Sequence, residues 1–232
     1  NAPALHLLGA LLHQCGNSRE GISLIRQAIA IEPKNADYHY NLGSILYGDG
    51  SATDAIEHLS KAVTLKPGYA EAHFELGNAL AGEGKLEEAE KCLRRALDLQ
   101  PSNAAATNNL GRVLRAMNRS EEAASLWQRA VTLQPSLAIA HLNIGIVRHE
   151  QRRLAEAEES LRRALEIKTD YAEATEALAL VLIDQGRSDD ALSLVSQSMP
   201  THDTPTMKAI FVRCLVADER FSPKAGLDDL LC

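Results

Sequence analysis

A single spacing of 34 residues runs through this chain and constrains its fold more than any other feature. Proline recurs at residues 33, 67, 101 and 135, and glycine recurs at residues 9, 43, 77, 111 and 145. A fixed period of this kind indicates an array of one small structural unit, because each unit buries its apolar face only against its neighbours. We therefore predict a helical solenoid whose function lies along its surface rather than at a catalytic motif.

Other positions of the unit recur with the same period. With Ala2 as position 1, units begin at residues 2, 36, 70, 104, 138 and 172. Position 24 is always large and apolar: Ile25, Leu59, Leu93, Trp127, Leu161 and Val195. Position 20 is always small: Gly21, Ala55, Ala89, Ala123, Ala157 and Ala191. Position 27 is small as well: Ala28, Ala62, Ala96, Ala130, Ala164 and Ser198.

The pattern predicts two antiparallel helices in each unit, helix A over positions 1–14 and helix B over about positions 18–31. Small residues at positions 8 and 20 let the two backbones approach, and alanine at position 27 lets helix B receive the next helix A. Proline at position 32 stops helix B, and Asn35, Ser102 and Asn103 suit the cap of the following helix A. Residues near position 15 supply a left-handed turn after helix A: Gly16, Gly50, Gly84, Asn118 and Gly186.

This pattern resembles the tetratricopeptide repeat (TPR), whose consensus has a large apolar residue, Gly, Ala, an aromatic or aliphatic residue, Ala and Pro at the same positions. It is similar to the TPR arrays of bacterial proteins and of O-linked N-acetylglucosamine transferase. The resemblance implies an all-α fold, a right-handed superhelical solenoid of antiparallel helix pairs. We assign six repeats to residues 2–205, and a degenerate or truncated seventh repeat or a C-terminal cap to residues 206–232.

The pattern weakens toward the C-terminus. Thr169 replaces a proline, Ala179 replaces a glycine, Ser198 replaces an alanine, and Arg213 occupies position 8 of the seventh unit. We expect one helix over about residues 205–217 and a short second helix over about residues 223–231. Terminal units of solenoids are atypical because they cap the stack, so a cap and a truncated repeat both remain open.

Composition narrows the class of partner. A net charge of -7 and a pI near 5.6 argue against a nucleic-acid binder, since such domains are usually basic. Cys15, Cys92, Cys214 and Cys232 show no paired spacing, which favours free thiols in a reducing compartment. No segment approaches the ~20 apolar residues of a membrane span. We therefore expect a cytoplasmic protein that does not insert into membranes.

No motif in the sequence predicts catalysis, a cofactor or a metal ion. The segment 82–85 lacks the first glycine and the Ser/Thr of a phosphate loop. His39, His73 and His141 share position 4, but successive units lie ~10 Å apart, too far for neighbours to share a metal ion. We interpret these histidines as packed between helices and predict that the protein is not an enzyme.

In TPR solenoids, positions 2, 5, 6, 9, 12 and 13 of the A helices line a concave groove, and the resemblance implies that a partner binds there. Aromatic side chains beside Asn and Arg are typical of binding patches. Packing between neighbouring A helices is the alternative interpretation of the aromatic residues. The predicted partner-binding residues are Tyr40, Asn41, Tyr47, Phe74, Asn78, Asn109, Arg112, Arg115, Asn143 and His149.

Two known kinds of TPR groove provide a comparison. Asn41, Asn109 and Asn143 at position 6 resemble the asparagine ladder of O-linked N-acetylglucosamine transferase, and a side-chain amide donates to and accepts from a peptide backbone at once. The chaperone-binding TPR clamp has two asparagines that Asn78 and Asn109 match. Phe74, Ile139 and Asn143, however, stand where that clamp has basic residues. We therefore do not expect binding of a chaperone tail.

Three functional hypotheses follow. The first is a protein–protein interaction scaffold that holds an extended peptide or a partner helix in its concave groove. The alternative is the substrate-recognition TPR arm of a larger glycosyl- or methyltransferase, since the chain starts at Asn1 without methionine and ends within a seventh unit. The third is a self-assembling scaffold that associates through its terminal helices.

Overall fold

The computed structural model describes residues 1–202 and 204–217, which form thirteen α-helices and no β-strand. The A helices are α1 (Ala2–Gln14), α3 (Ala36–Gly48), α5 (Ala70–Gly82), α7 (Ala104–Ala116), α9 (Ala138–Glu150) and α11 (Ala172–Asp184). The B helices are α2 (Ser18–Ile31), α4 (Ala52–Leu65), α6 (Leu86–Leu99), α8 (Ser120–Leu133), α10 (Leu154–Ile167) and α12 (Ser188–Ser198). A further helix, α13 (Pro205–Ala217), follows.

The helices gather into two compact units. Asn1–Leu133 holds α1 to α8, and the second unit begins at Gln134 and holds α9 to α13. Within each unit, every A helix packs antiparallel against the B helix that follows it, and each such pair packs against the next. The all-α array of helix pairs predicted from the 34-residue period is therefore confirmed.

Glycine at position 8 is required by the close approach of helices A and B. A Cβ atom added at Gly43 would lie 2.7 Å from Cγ of Leu59, and one added at Gly111 would lie 2.6 Å from Nε1 of Trp127. The large residue at position 24 therefore occupies the space that the glycine leaves open. This contact explains why the residue at position 8 is small, as predicted. Alanines at positions 20 and 27 are buried on the same helix pairs.

Helix ends differ from the prediction by about one residue. Full-length A helices cover positions 1–13, and B helices from α2 to α10 cover positions 17–30. Helix α10 ends at Ile167 even though Thr169 stands where the first four units have proline. Proline is therefore not needed to end helix B at this position.

Side-chain caps begin two of the A helices as predicted. The Asn35 side chain accepts a hydrogen bond from the backbone N–H of Asp37 at 3.1 Å, and the Asn103 side chain accepts one from the N–H of Ala106 at 2.9 Å. Ser102, which was also predicted as a cap, lies one residue before the N-cap residue Asn103. The prediction was therefore wrong for Ser102.

Left-handed residues follow the A helices at the predicted positions: Gly16, Gly50, Gly84, Asn118 and Gly186 all have positive φ. Arg152 occupies the same place after α9 with a φ of 61°. No residue pattern predicts this conformation, because arginine seldom adopts it and the cost is about 1–2 kcal/mol. An ion pair of 2.8 Å between Nη1 of Arg152 and the Asp184 carboxylate accompanies this backbone conformation.

The first and last described helices differ from the interior ones. Leu8 on α1 is 50% exposed, whereas Leu42 at the same position of α3 is fully buried, because no earlier helix covers α1 among the described residues. At the other end, α13 buries Met207, Ile210 and Cys214 in the core of the second unit. A helix at 205–217 was predicted and is confirmed; the short helix expected at 223–231 lies outside the described residues.

Candidate functional site

Eight of the ten predicted partner-binding residues lie in the unit Asn1–Leu133, on α3, α5 and α7. These three A helices and α1 are neighbours in sequence order, since each contacts the next A helix as well as its own B helix. We call the partly exposed surface that these four helices share the A-helix face. The predicted residues on these helices are Tyr40, Asn41, Tyr47, Phe74, Asn78, Asn109, Arg112 and Arg115; Asn78 is buried, and the other seven are partly or fully exposed.

Asparagines on this face bond to each other across repeats. Nδ2 of Asn109 on α7 donates to Oδ1 of Asn78 on α5 at 2.8 Å, and Nδ2 of Asn108 donates to Oδ1 of Asn109 at 3.1 Å. Nδ2 of Asn41 lies 2.6 Å from Nε2 of His6 on α1. The amides predicted to hold a peptide therefore also link neighbouring A helices. The recurrence of asparagine at position 6 does not by itself predict these links.

The aromatic residues also bridge repeats while staying partly exposed. The rings of Tyr40 and Tyr69 lie 4.8 Å apart, and the Tyr47 hydroxyl donates to the backbone carbonyl of Asn78 at 3.4 Å. Burial raises the pKa of Tyr40, and the nearby carboxylate of Glu75 raises it further. Phe74 is half-buried at the matching position of α5. These side chains therefore combine packing between A helices with surface that a partner can reach.

Charged residues on the A-helix face fall into paired and unpaired groups. Asp37 forms an ion pair of 3.5 Å with Lys66, and Glu71 accepts a hydrogen bond of 2.8 Å from Gln100. Glu75 is half-buried, and burial raises the pKa of its carboxyl group. Neither Glu75 nor the exposed Arg112 has a hydrogen bond or an ion pair to any other part of the chain that the structure describes.

Asn143 and His149 lie in the second unit. Asn143 is buried on α9, and Nε2 of His149 lies 2.9 Å from Oδ2 of Asp184 on α11. The His149 hydrogen bond and the Arg152 guanidinium hold the pKa of the Asp184 carboxyl group below its usual range. Nη2 of Arg213 lies 3.9 Å from the same carboxylate. His149 is therefore part of an ion-pair cluster that joins α9, α11 and α13.

Two further ion-pair clusters lie on B helices and at the residue that precedes the next B helix, and they recur at the same repeat positions. In the first unit, Arg119 contacts Glu90 at 2.8 Å, and Arg94 contacts the same carboxylate at 2.8 Å. In the second unit, Arg187 contacts Glu158 at 2.9 Å, together with Arg162 at 2.8 Å. The two carboxylates are only 15% and 17% exposed, and each joins its own repeat to the next. Sequence reasoning missed these contacts, although positions 16, 21 and 25 repeat in the chain.

The histidines at position 4 have a structural role. Nε2 of His39, His73 and His141 lies 3.0 to 3.1 Å from the carbonyl oxygen of the proline six residues earlier. This contact ties the start of each of these A helices to the turn that precedes it, in agreement with the interpretation of packed histidines.

Within residues 1–202 and 204–217, no group of three or more His, Cys, Asp or Glu side chains has the geometry to hold a metal ion. No helix among those residues is long and apolar enough to cross a membrane.

Comparisons with known families agree with this geometry. A family model described as "Tetratricopeptide repeat" matches residues 14–70, 74–136 and 108–172. A second model with the same description matches residues 46–96 and 148–210. No curated protein sequence matches the chain.

Three solved structures are similar to this chain. MamA is 27% identical with a TM-score of 0.66, and the match covers 69% of this chain and 94% of MamA. PilF of Pseudomonas aeruginosa is 20% identical with a TM-score of 0.80, over 91% of this chain and 96% of PilF. YrrB, described as a TPR protein with an unusual peptide-binding site, is 20% identical with a TM-score of 0.64, over 82% of this chain and 97% of YrrB. At 20% identity the last two establish likeness of fold alone.

Proposed function

Because the chain belongs to the tetratricopeptide repeat family, we propose that it is a non-enzymatic interaction module that holds an extended segment of a partner protein on its A-helix face. The family implies a protein or peptide partner. The central contacts of this proposal are Tyr40, Phe74, Asn78, Asn109 and Arg112. Asn143 and His149 belong to the second unit and remain predicted contacts.

The observation that carries the proposal is the amide pair on α5 and α7. Asn109 donates one hydrogen bond to Asn78 and accepts one from Asn108. An amide side chain has two N–H groups and two lone pairs, so Asn109 keeps one of each for a peptide backbone. The pair also fixes the rotamer of Asn109, which lowers the entropy cost of binding.

Two further features support an extended partner. The half-buried rings of Tyr40 and Phe74 offer apolar contact area on the same face, and aromatic and Arg side chains dominate binding energy in many interfaces. YrrB, one of the proteins with a similar fold, is described as having a peptide-binding site. The transferase-arm alternative remains a prediction, because no feature of the described residues bears on it.

The proposal is tested by selecting ligands from a random peptide library displayed on phage, with the full chain as bait. Affinities of the selected peptides, made synthetically, are then measured for the wild type and for Asn109→Ala/Arg112→Ala. We expect a loss of affinity of about tenfold or more, equivalent to at least one charge-assisted hydrogen bond. Circular dichroism checks that the variant remains folded.

A matched control carries the same two kinds of change away from the A-helix face, Asn17→Ala/Arg19→Ala near the start of α2. This control should bind the peptides as the wild type does. Equal affinity of the wild type and the Asn109→Ala/Arg112→Ala variant would contradict the proposal. A library that yields no ligand would contradict it as well.

A further inference from the structure

Two charged side chains on the A-helix face lack a partner within residues 1–202 and 204–217. Glu75 on α5 is half-buried, and Arg112 on α7 is exposed, and neither forms a hydrogen bond or an ion pair there. Neighbouring carboxylates on the same face are engaged, since Asp37 pairs with Lys66 and Glu71 accepts from Gln100. The unpaired state of Glu75 therefore distinguishes it from the other acidic residues nearby.

The two charges lie at the ends of a continuous row. Glu75 and Asn78 are three residues apart on α5, and Asn109 and Arg112 are three residues apart on α7, so each pair shares one face of its helix. The Asn109–Asn78 hydrogen bond of 2.8 Å joins the two pairs. The row thus reads acid, amide, amide, base, and we call it the charged row.

No ion pair or hydrogen bond joins Glu75 and Arg112 within residues 1–202 and 204–217. Packed helices lie about 8–10 Å apart, and three residues add about 4.5 Å along the axis, so the two Cβ atoms stand roughly 10 Å apart. The amide pair occupies the space between them. Each charge is therefore available to a ligand instead of to the other.

Burial of the unpaired Glu75 carboxylate costs free energy. Removal of Glu75 from water raises the pKa of its carboxyl group, and no nearby cation offsets this effect. The side chain next to it on α3, Tyr40, supplies a ring but no positive charge. A cation from a ligand would remove the cost, whereas an anion placed there would be repelled. At the other end, the planar guanidinium of Arg112 matches the geometry of a carboxylate and favours an anion.

We infer that the charged row selects extended peptide segments with a basic side chain opposite Glu75 and an acidic side chain opposite Arg112, with the peptide backbone lying over the Asn78–Asn109 pair. This inference rests on the proposed function and specifies the chemistry of the partner. An extended chain advances about 3.3 Å per residue, so the roughly 10 Å between the two ends corresponds to charges two to four residues apart. The N-to-C direction in which the peptide lies on the charged row decides whether its basic or its acidic residue comes first in its sequence.

The test uses acetylated and amidated nonapeptides that contain one Lys and one Glu in a sequence of Ala, Ser and Leu. The set varies the spacing of the two charges from one to six residues and includes both orders. Fluorescence polarisation measures the affinity of each peptide for the full chain, for Glu75→Gln and for Arg112→Gln. Glu87→Gln on α6 and Arg19→Gln on α2 are the matched controls, because both residues are exposed on B helices.

The wild type should bind peptides of one charge order most tightly, at spacings of two to four residues. Glu75→Gln should weaken binding of these peptides about tenfold and leave peptides with Lys replaced by Ala unaffected. Arg112→Gln should likewise weaken binding of these peptides and leave peptides with Glu replaced by Ala unaffected. Both control variants should bind the peptides as the wild type does. A carbon-13 NMR titration should find the Glu75 pKa lowered when the Lys peptide is bound.

Other outcomes separate this inference from the proposed function. Peptides that bind equally whatever their charges, with Glu75→Gln and Arg112→Gln unchanged, would overturn the charged row and leave the binding face intact. Tighter binding of peptides that carry two acidic residues would also overturn it. Failure of every peptide, including the sequences selected from the random library, would overturn both.

Discussion

The contact between Gly111 and Trp127 yields a prediction about stability that follows from the repeat itself. In Gly111→Ala, the new Cβ would lie 2.6 Å from Nε1, 2.9 Å from Cε2 and 3.0 Å from Cδ1 of Trp127. The indole is fully buried, and its N–H donates to the carbonyl of Asn108 at 3.0 Å. The ring therefore has nowhere to move without breaking that hydrogen bond or separating helices α7 and α8.

The magnitude follows from two opposing effects. Overpacking of a core costs about 1–3 kcal/mol, and the rigid, anchored indole places this case at the upper end. Replacing glycine by alanine within a helix stabilises the helix by about 1 kcal/mol. We expect a net loss of about 2 kcal/mol in the free energy of unfolding, which corresponds to about 4–8 °C in Tm for a chain of this size.

Urea denaturation and thermal melting measure the effect, with circular dichroism for the helices and the fluorescence of the single tryptophan for the α7–α8 pair. Gly48→Ala is the matched control, because nothing lies within 4 Å of a Cβ at this last residue of α3. That variant should gain up to about 1 kcal/mol. Equal effects of the two substitutions, or a stabilised Gly111→Ala, would refute the packing argument.

Three further predictions concern a turn, an ion pair and the first helix. Gly84→Ala should lower the free energy of unfolding by about 1–2 kcal/mol in urea denaturation, because its φ of 74° disfavours a side chain although the surrounding space is open. Asp184→Asn should lower Tm at pH 7, and the difference from the wild type should shrink as pH falls below about 4, since a carboxylate with a lowered folded pKa stabilises only while ionised. A difference that persists unchanged at low pH would contradict this. Self-association through the terminal helices predicts a mass that rises with concentration in light scattering and falls to the monomer in Leu8→Gln/Leu11→Gln, two leucines about half exposed on α1; a strictly monomeric wild type would exclude it.

The repeat pattern was sufficient to predict the helix pairs and most of the turns. Each of these features depends on residue types at fixed positions, such as glycine opposite the large residue of position 24, and the period makes such types visible. The left-handed Arg152 could not be predicted, because its conformation is imposed by the repeat around it rather than by its own preference.

Side-chain contacts between repeats were harder to predict from the sequence. The Asn78–Asn109 pair joins residues 31 positions apart, and the Arg119–Glu90 pair joins residues 29 apart. Such contacts depend on how far one repeat is displaced along the next, which the identity of the residues does not reveal. The sequence thus indicated which side chains the packing does not require, while the structure identified which of them are already paired.

The central claim, that a partner segment lies on the A-helix face, is tested most directly by photo-crosslinking. Benzoylphenylalanine is placed at position 74 on α5, and in a control at position 91, which is exposed on α6. A peptide selected from the random library is then irradiated with each protein, and the products are identified by mass spectrometry. We expect a crosslinked product from position 74 and none from position 91. Crosslinking from position 91 alone would contradict the account.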